Sequence, residues 1–279
     1  LFSLHGINDR ETMEWSVRPR GCLDRAREWQ KKGLCRWVGF STHGSPELVE
    51  ELVSGGRFDY VNLHWYYIFQ EHDRSLEAAR KNDMGLFIIS PNDKGGMLYK
   101  PSKVLSDLTA PLTPMAFNTL FCLRDPRIHT LSIGASKPTD FDEHVSALEK
   151  LNEVGRILPP IEKRLQERWK TSLPAQWRED WHKGLPHWSE CPKGANFREI
   201  LRLHNLAEAY DLVEYARMRY NLLGQGGHWF PGQPLGNLST EEIRPYLRSC
   251  PDPETTLRRL LAARDLLAGD KVQRLSRTD

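Results

Sequence analysis

Residues 86–96 read LFIISPNDKGG, and this stretch decides the fold that the sequence predicts. Residues 86–89 form a fully apolar run, which is typical of a strand that is buried on both faces. Pro91 interrupts the run, and Gly95 and Gly96 follow, so the strand should open into a polar, glycine-rich loop. Such a loop after a buried parallel strand is a common place for a ligand in α/β proteins.

Similar patterns on both sides of this stretch predict four further strands and the helices between them. The other strands lie at residues 1–4, 37–40, 58–63 and 130–133. Helices are predicted over residues 22–32, 45–55, 75–82 and 115–122, the first with Cys22, Ala26 and Trp29 on one face. A capping box from Thr139 to Asp142 predicts a helix that carries Phe141, Val145 and Leu148 at positions i, i+4 and i+7. Strand, loop and helix thus recur five times, which predicts an α/β fold with a parallel sheet, either a doubly wound sheet or a (β/α) barrel.

Polar residues follow each of the five predicted strands. They are His5; Ser41, Thr42 and His43; Asn62 and His64; Ser90, Asn92 and Lys94; and Gly134, Ser136 and Lys137. Any one of them, taken alone, is more often a turn or capping residue than a functional one. Their recurrence at five successive strand ends favours a barrel with its site at the carboxyl ends of the strands.

The charge balance and the cysteine pattern narrow the class of protein. The chain has 279 residues, with 39 Lys plus Arg against 37 Asp plus Glu, so its formal net charge is only +2. This balance predicts neither nucleic acid nor a membrane surface as a partner. The sequence contains no apolar stretch of transmembrane length. Five cysteines without a CxxC pair fit a reducing compartment, so we expect a cytoplasmic protein.

The second part of the chain predicts a separate all-α domain. Pro159 and Pro160 mark a boundary, which divides the chain into residues 1–155 and 156–279. Ile161, Leu165 and Trp169 form a helical stripe. A long helix over residues 196–223 should break near Asn205 and end at Gly224, Gly226 and Gly227.

Five motifs resemble the fourth to eighth βα units of the aldo-keto reductase barrel. They are LFSLHGIN at residues 1–8, CRWVGFSTHG at 35–44, FDYVNLHWYYI at 58–68, MGLFIISPNDKGGMLY at 84–99 and IHTLSIGASKPTDFDEH at 128–144. The resemblance is to the bacterial branch with a C-terminal ferredoxin-type domain. It implies a partial (β/α)8 TIM barrel, the last five βα units, followed by the all-α domain.

The resemblance implies NAD(P)H-dependent reduction of a small-molecule carbonyl, an aldehyde or a ketone. His5 corresponds to the active-site histidine that polarises the carbonyl. The residues implied at the nicotinamide are Ser41, Thr42 and Asn62. Those implied along the pyrophosphate are Ser90, Asn92, Lys94 and Gly95, and those at the adenosine end are Gly134, Ser136, Lys137, Glu143 and His144.

Several positions depart from the family pattern. The family's catalytic Tyr, Asp and Lys belong to the first three βα units, so we expect this chain to be a fragment that is inactive alone. Ile89 stands where an aromatic residue stacks on the nicotinamide. Asp140 aligns with the arginine that binds the 2′-phosphate of NADP, which leaves the choice between NADH and NADPH open.

The ferredoxin-type part keeps one cysteine of each cluster motif, in Cys191-Pro192 and Cys250-Pro251. A [4Fe–4S] cluster needs four thiolates, so the sequence predicts no bound cluster and no other metal. An alternative function is a non-catalytic binding or scaffold protein built on a degenerate reductase barrel. The sequence does not fix the oligomeric state.

Overall fold

Five strands form one parallel sheet in the computed structural model, which describes residues 1–225 and 230–269. The strands are β1 (Phe2–Leu4), β2 (Val38–Ser41), β3 (Tyr60–Leu63), β4 (Gly85–Ile89) and β5 (Thr130–Ser132). Their order in the sheet is β1-β2-β3-β4-β5, and every neighbouring pair is parallel. Doubly wound sheets reverse their strand order at a switch point, and this sheet does not, so its order is that of a barrel. The α/β class with a parallel sheet is therefore confirmed.

The core of the sheet follows the two-residue period of a strand. Val38 and Phe40 of β2, and Leu86 and Ile88 of β4, are fully buried. The alternate residues of β4, Phe87 and Ile89, are only half-buried. The prediction that residues 86–89 are buried on both faces is therefore wrong for one of the two faces.

Seven α-helices accompany the sheet within residues 1–100 and 110–160 of the described chain, and an eighth begins there at Val154. They are α1 (Arg10–Val17), α2 (Cys22–Lys31), α3 (Pro46–Ser54), α4 (Asp73–Lys81), α5 (Pro91–Lys94), α7 (Pro114–Leu123) and α8 (Asp142–Leu148), with a 3-10 turn at Pro138–Phe141. Ser45 and Thr113 cap α3 and α7 by accepting backbone N–H bonds, and each is followed by proline at the first helical position. This is the N-cap pattern that the sequence predicts for α3.

Two helices bury residues other than those of the apolar stripe that the sequence shows. In α2 the buried residues are Leu23 and Ala26, whereas Trp29 is 45% exposed. At α8 the residues of the apolar stripe are exposed: the N-cap Phe141 by 44%, Val145 by 60% and Leu148 by 47%. Sequence periodicity identifies an apolar face, but burial depends on what packs against that face.

The polar stretch after β4 is not an open loop. Ser90 adopts a left-handed conformation with φ of 53°, and Pro91–Lys94 then form the single helical turn α5. Gly95 follows with its Cα close to the carbonyl of Pro91. A Cβ at residue 95 would lie 2.4 Å from that oxygen, so the turn requires glycine.

The chain divides into two compact units, residues 1–100 with 110–160, and residues 101–109 with 161–279. The segment 101–109 contains α6 (Lys103–Thr109) and is held by hydrogen bonds within its unit. Ser102 Oγ donates to the Tyr210 carbonyl at 2.8 Å, and Arg164 Nε donates to the Leu108 carbonyl at 2.9 Å. A sequence pattern cannot reveal such a pairing across about a hundred residues, and the predicted division at residue 155 stays a prediction.

The described part of the second unit is built from helices. Besides α6, they are α9 (Val154–Ser172), α10 (Ala175–Asp180), α11 (Phe197–Tyr210), α12 (Val213–Leu222), α13 (Thr240–Ile243) and α14 (Pro253–Leu267), with 3-10 turns at Trp188–Glu190, Pro192–Gly194 and Arg244–Leu247. Helix α9 runs through Pro159 and Pro160, so the two prolines at the predicted domain boundary do not interrupt the helix.

The long helix predicted over residues 196–223 is two helices. It breaks at Asp211, whose φ is 55°, rather than near Asn205. Of its predicted glycine stop, Gly226 and Gly227 lie outside the described residues. Within residues 1–225 and 230–269, no helix combines the length and the apolar character needed to cross a bilayer.

Candidate functional site

The carboxyl ends of β1 and β2 bring His5 next to Ser41. Ser41 Oγ lies 3.4 Å from His5 Nδ1 and accepts the Gly6 N–H at 3.1 Å. On the next strand, Asn62 Nδ2 donates to Ser3 Oγ at 3.1 Å. Three of the residues predicted at the nicotinamide and the carbonyl therefore lie on neighbouring strands at one edge of the sheet.

Thr42 also belongs to this edge, but its hydroxyl is used by the backbone. The side chain is 2% exposed. Its Oγ1 donates to the Ile7 carbonyl at 2.6 Å and accepts the Gly44 N–H at 2.9 Å. These bonds tie the β1 and β2 loops together, so Thr42 shapes the edge rather than offering a hydroxyl to a ligand.

Four side chains meet at the ends of β2, β3 and β4, and we call His43, His64, Tyr66 and Lys94 the His64 cluster. His43 Nδ1 lies 2.6 Å from His64 Nε2, and the two rings stack at 4.7 Å between centroids. Lys94 Nζ lies 3.4 Å from the same His64 nitrogen. On the other side of the ring, His64 Nδ1 lies 2.7 Å from Tyr66 Oη.

The hydrogen-bond partners fix the tautomers in this cluster. Tyr66 Oη donates to the Ile89 carbonyl, which can only accept. The Tyr66 oxygen must then accept from His64 Nδ1–H, which leaves His64 Nε2 as an acceptor in the neutral ring. His43 Nδ1–H and Lys94 Nζ–H are therefore two donors to a single lone pair.

Burial keeps His64 neutral. Its side chain is fully buried, and this desolvation holds its pKa well below the ordinary value, with the charge of Lys94 acting in the same direction. His72, close by, is also buried, which lowers its pKa to about 4. A buried neutral imidazole with one fixed acceptor nitrogen holds its two donors, His43 and Lys94, in place.

Two residues predicted along the dinucleotide pair with each other. Asn92 Nδ2 lies 3.0 Å from His144 Nε2, and His144 Nδ1 lies 2.8 Å from Thr119 Oγ1. Both Asn92 and His144 are buried, and desolvation lowers the His144 pKa. Glu143, beside it, accepts from Thr113 Oγ1. These bonds join α5, α7 and α8.

In the loop after β5, polar groups donate hydrogen bonds to the carboxylate of Asp140. Asp140 Oδ2 accepts the Ser136 N–H at 2.8 Å, the Ser136 hydroxyl at 3.0 Å and the Lys137 N–H at 3.2 Å. The bond from Ser136 N–H is the main reason that the Asp140 pKa lies below its ordinary value. Gly134, at the start of this loop, has open space around its Cα. The donors predicted at the adenosine end are thus already held by a carboxylate.

The sequence-predicted residues fall into four groups. His5, Ser41 and Asn62 lie along β1–β3, and Lys94 belongs to the His64 cluster. Asn92, Glu143 and His144 brace helices, and Ser136 and Lys137 enclose Asp140. Sequence reasoning noticed His43 and His64 only as polar strand ends and did not place them, or Tyr66, in a site. The available signal was their position directly after β2 and β3, which are adjacent parallel strands.

The described residues contain no convergent metal-ligand group. Among residues 1–225 and 230–269, no three His, Cys, Asp or Glu side chains are placed to hold an ion. Cys191 and Cys250 are both buried, and burial raises the pKa of each thiol, that of Cys191 to about 11. The expectation of no bound cluster stays a prediction.

Comparison with known proteins adds a weak likeness. No protein-family model and no curated protein matches the chain. Among solved structures, it is similar to aldo-keto reductase AKR11C1 from Bacillus halodurans in its holo form, with 15% identity and a TM-score of 0.47 over 58% of this chain and 57% of that one. The apo form gives 15% identity and a TM-score of 0.46 over 58% and 60%. The chain thus spans less than two thirds of that reductase, and a likeness at this level does not assign a family.

Proposed function

We propose that this chain forms part of an NAD(P)H-dependent oxidoreductase that reduces an aldehyde or ketone, with the dinucleotide held across the carboxyl ends of β1–β5. The observation that carries the proposal is the arrangement of polar side chains at these strand ends. His5, Ser41 and Asn62 lie side by side at one end of the row, and the cationic Lys94 lies at β4. A carbonyl and a carboxamide need donors and acceptors, and a pyrophosphate needs positive charge.

The residues at the nicotinamide end suit the dinucleotide better than those at the adenosine end. At the nicotinamide end, Ser41 and Asn62 offer hydroxyl and amide groups beside His5. At the far end, the Asp140 carboxylate occupies the N–H groups of Ser136 and Lys137 and would repel a 2′-phosphate. We therefore propose NADH rather than NADPH. The dinucleotide supplies hydride when bound, and His5 orients and polarises the carbonyl that receives it.

Titration of the full chain with NADH and with NADPH, followed by tryptophan fluorescence, tests this proposal. The chain contains nine tryptophans, so a bound dihydronicotinamide should quench their emission. We expect saturable quenching, stronger for NADH. Absence of saturable binding of either nucleotide would overturn the proposed function.

A second candidate function is a scaffold that binds another protein. The observation that favours it is the exposed apolar face of α8, formed by Phe141, Val145 and Leu148. Exposed apolar residues grouped on one helix often mark interaction surfaces. If nucleotide binding is absent while changes on this face abolish association with a partner, the scaffold is the better description.

A further inference from the structure

Two strands of the parallel sheet are paired on one side only. Within the described chain, β1 pairs with β2 and β5 pairs with β4, so β1 and β5 are the edges of the sheet. The Phe2 N–H donates to the Trp37 carbonyl at 2.9 Å, on the β2 side. Successive strand residues direct their backbone groups to opposite sides, so the N–H and C=O of Ser3 point towards the open edge. Such an edge is a template for a further strand.

An apolar group lies beside the β1 edge, and we call Leu1, Phe2, Trp29 and Trp37 the Phe2 patch. The Trp29 ring of α2 meets the Phe2 ring edge-on, with 5.1 Å between the ring centroids. Leu1 precedes Phe2 in the chain, and Trp37 lies across the hydrogen bond between β1 and β2. Leu1, Trp29 and Trp37 are all exposed. Grouped exposed apolar residues of this kind mark interaction surfaces.

The β5 edge also carries an exposed apolar group. Helix α8 follows β5, and we call Phe141, Val145 and Leu148 the α8 stripe. His144, on another face of the helix, is buried and lies 2.8 Å from Thr119 Oγ1 of α7. The side of α8 next to α7 is therefore covered, whereas the α8 stripe is exposed.

The segments beside the two edges carry opposite charge. Residues 18–36, which include α2, contain seven arginines and lysines against two acidic residues. Residues 140–153, which include α8, contain five acidic residues against one lysine. Arg27 already pairs with Asp59 at 2.7 Å, and Asp140 binds its own loop, so the excess on each side is smaller but keeps its sign.

Exposed charges flank the apolar residues of both edges with the same helical spacing. Each charged residue lies three or four positions, about one turn, from the apolar residue. They are Arg25 and Lys32 around Trp29, and Asp142 and Glu149 around Val145. Each apolar group thus has a charged border, basic at the β1 edge and acidic at the β5 edge.

The charges decide which edges fit together. Two β1 edges would bring two basic segments together, and two β5 edges would bring two acidic segments together, and like charges repel. One β1 edge and one β5 edge join opposite charges instead. A second copy of this chain therefore supplies a strand, an exposed apolar helix face and complementary charge at the same time.

We propose that the β1 edge of this chain binds the β5 edge of a second copy, with the two strands parallel and the α8 stripe of one copy against the Phe2 patch of the other. Each copy offers one edge of each kind, so two copies satisfy both edges by two identical contacts. A dimer is then the smallest closed assembly. The apolar residues leave water, and the charges meet at the border of the contact. This inference concerns assembly and does not depend on nucleotide binding.

Sedimentation velocity of the full 279-residue chain over a series of concentrations tests the proposal. Wild type should show a monomer–dimer equilibrium. Added salt should weaken the dimer, because it screens the charges at the border of the contact. A wild type that stays monomeric at its highest soluble concentration would overturn the proposal and leave the two edges to a different partner.

Two charge-reversal variants test which edges meet. Arg25→Glu with Lys32→Glu makes the border of the β1 edge acidic, and Asp142→Lys with Glu149→Lys makes the border of the β5 edge basic. Each variant alone joins like charges, so its dimer should be weaker than that of wild type by about tenfold or more. In an equimolar mixture every contact between the two variants again joins opposite charges. The mixture should therefore form a dimer of one copy of each, with nearly the affinity of wild type.

Lys163→Glu with Lys170→Glu is the matched control for the change in net charge. Both lysines are exposed on α9 in the second unit, away from either edge strand in the chain. This control should dimerise as wild type does. Equal dimerisation of wild type and both charge-reversal variants would overturn the proposal. So would the absence of a mixed dimer when thermal unfolding shows that both variants are folded.

Hydrogen exchange of wild type alone tests the strand pairing. The Ser3 amide points towards the open edge, so its exchange should slow several-fold when the concentration is raised into the range of the dimer. The exchange of amides in the second unit should not change. Equal exchange of the Ser3 amide in monomer and dimer would show that β1 gains no strand, and the proposed contact would be wrong.

Discussion

The ends of β4 and β5 carry similar residues, but the charge at the two ends is opposite in sign. After β4, Lys94 lies beside the neutral His64 and shares its acceptor nitrogen with His43. After β5, the N–H groups of Ser136 and Lys137 already bind the Asp140 carboxylate. The first end presents positive charge around a neutral ring, and the second presents an internal anion. A lysine near a glycine after a strand therefore does not by itself indicate a phosphate site, because a neighbouring carboxylate decides the outcome.

The β4 end depends most on His64, so its loss should have the largest effect. In His64→Ala, Tyr66 loses its donor and the buried ring leaves a cavity, which together should cost about 3 kcal/mol in the free energy of unfolding. Urea unfolding of the variant measures this beside His187→Ala, an exposed control that loses only the cap of a 3-10 turn and should change by about 1 kcal/mol or less. A cost as small as the control's would mean that the cluster does not organise this end.

Acid should weaken the same region through its buried histidines. The pKa of His72 is about 4 in the folded protein, against an ordinary value of 6.5. Below about pH 6.5 the unfolded state therefore binds more protons than the folded state, and the free energy of unfolding decreases as the pH is lowered. This stability is complete above pH 6.5 and is lost as pH falls towards 4, with a cost of roughly 3 kcal/mol from His72. His64 acts in the same direction.

His72→Asn should remove the His72 part of this dependence. Unfolding free energies of wild type and variant at about pH 7 and about pH 4.5 provide the measurement. If both lose the same stability on acidification, His72 is not the group responsible.

Nucleotide binding tests the contrast between the two ends directly. Lys94→Met removes the charge at β4 and should weaken NADH binding by about tenfold, since a charge-assisted contact to phosphate is lost. Lys103→Met is the control, because Lys103 is exposed, pairs with Asp107 and belongs to the other unit. Fluorescence titration should show unchanged affinity for that control. Equal affinities of Lys94→Met and wild type would remove Lys94 from the site.

The β5 end should respond in the opposite direction and more weakly. Asp140→Asn keeps an acceptor oxygen for Ser136 N–H and removes the negative charge. Because Asp140 is only half-buried and water screens its field, we expect only a few-fold gain in NADPH affinity relative to NADH. The ratio of the dissociation constants for NADPH and NADH, measured for wild type and for the variant, tests this expectation. An unchanged ratio would show that the carboxylate does not select against the 2′-phosphate.

The smallest effect is expected on α8. Val145 is 60% exposed and Ala147 is 2% exposed, so Val145→Ser should change the unfolding free energy by less than about 0.5 kcal/mol, and Ala147→Ser should cost about 1 kcal/mol or more. Thermal unfolding of the two variants measures the difference. If Val145→Ser were the more destabilising of the two variants, the buried face of α8 would be the one that carries Val145 and not the one that carries Ala147.

The sequence locates the strands well because their apolar runs end at clear breakers. Residues 86–89 lie within β4, and the predicted strands at residues 1–4 and 58–63 contain β1 and β3. It fails where burial depends on a neighbouring element. The periodicity that places Val145 and Leu148 on one face of α8 is correct, but a pattern within a helix does not say what covers that face.

The His64 cluster lies beyond sequence reasoning because it depends on strand register. Ser41 pairs with Asn62 across β2 and β3, which places His43 opposite His64 two residues further on. Only the register, set by the packing of the whole sheet, brings these two rings together. The tautomers of His64 and His43 follow from the hydrogen bond between Tyr66 and the Ile89 carbonyl, which no sequence spacing predicts.

Protection of Lys94 from acetylation tests most directly whether the strand ends hold a dinucleotide. The full chain is acetylated with and without NADH, and the modification of each lysine is quantified by mass spectrometry. We predict that saturating NADH slows acetylation of Lys94 several-fold and leaves Lys103 unchanged. Equal acetylation of Lys94 with and without NADH would contradict the placement of the pyrophosphate at the end of β4.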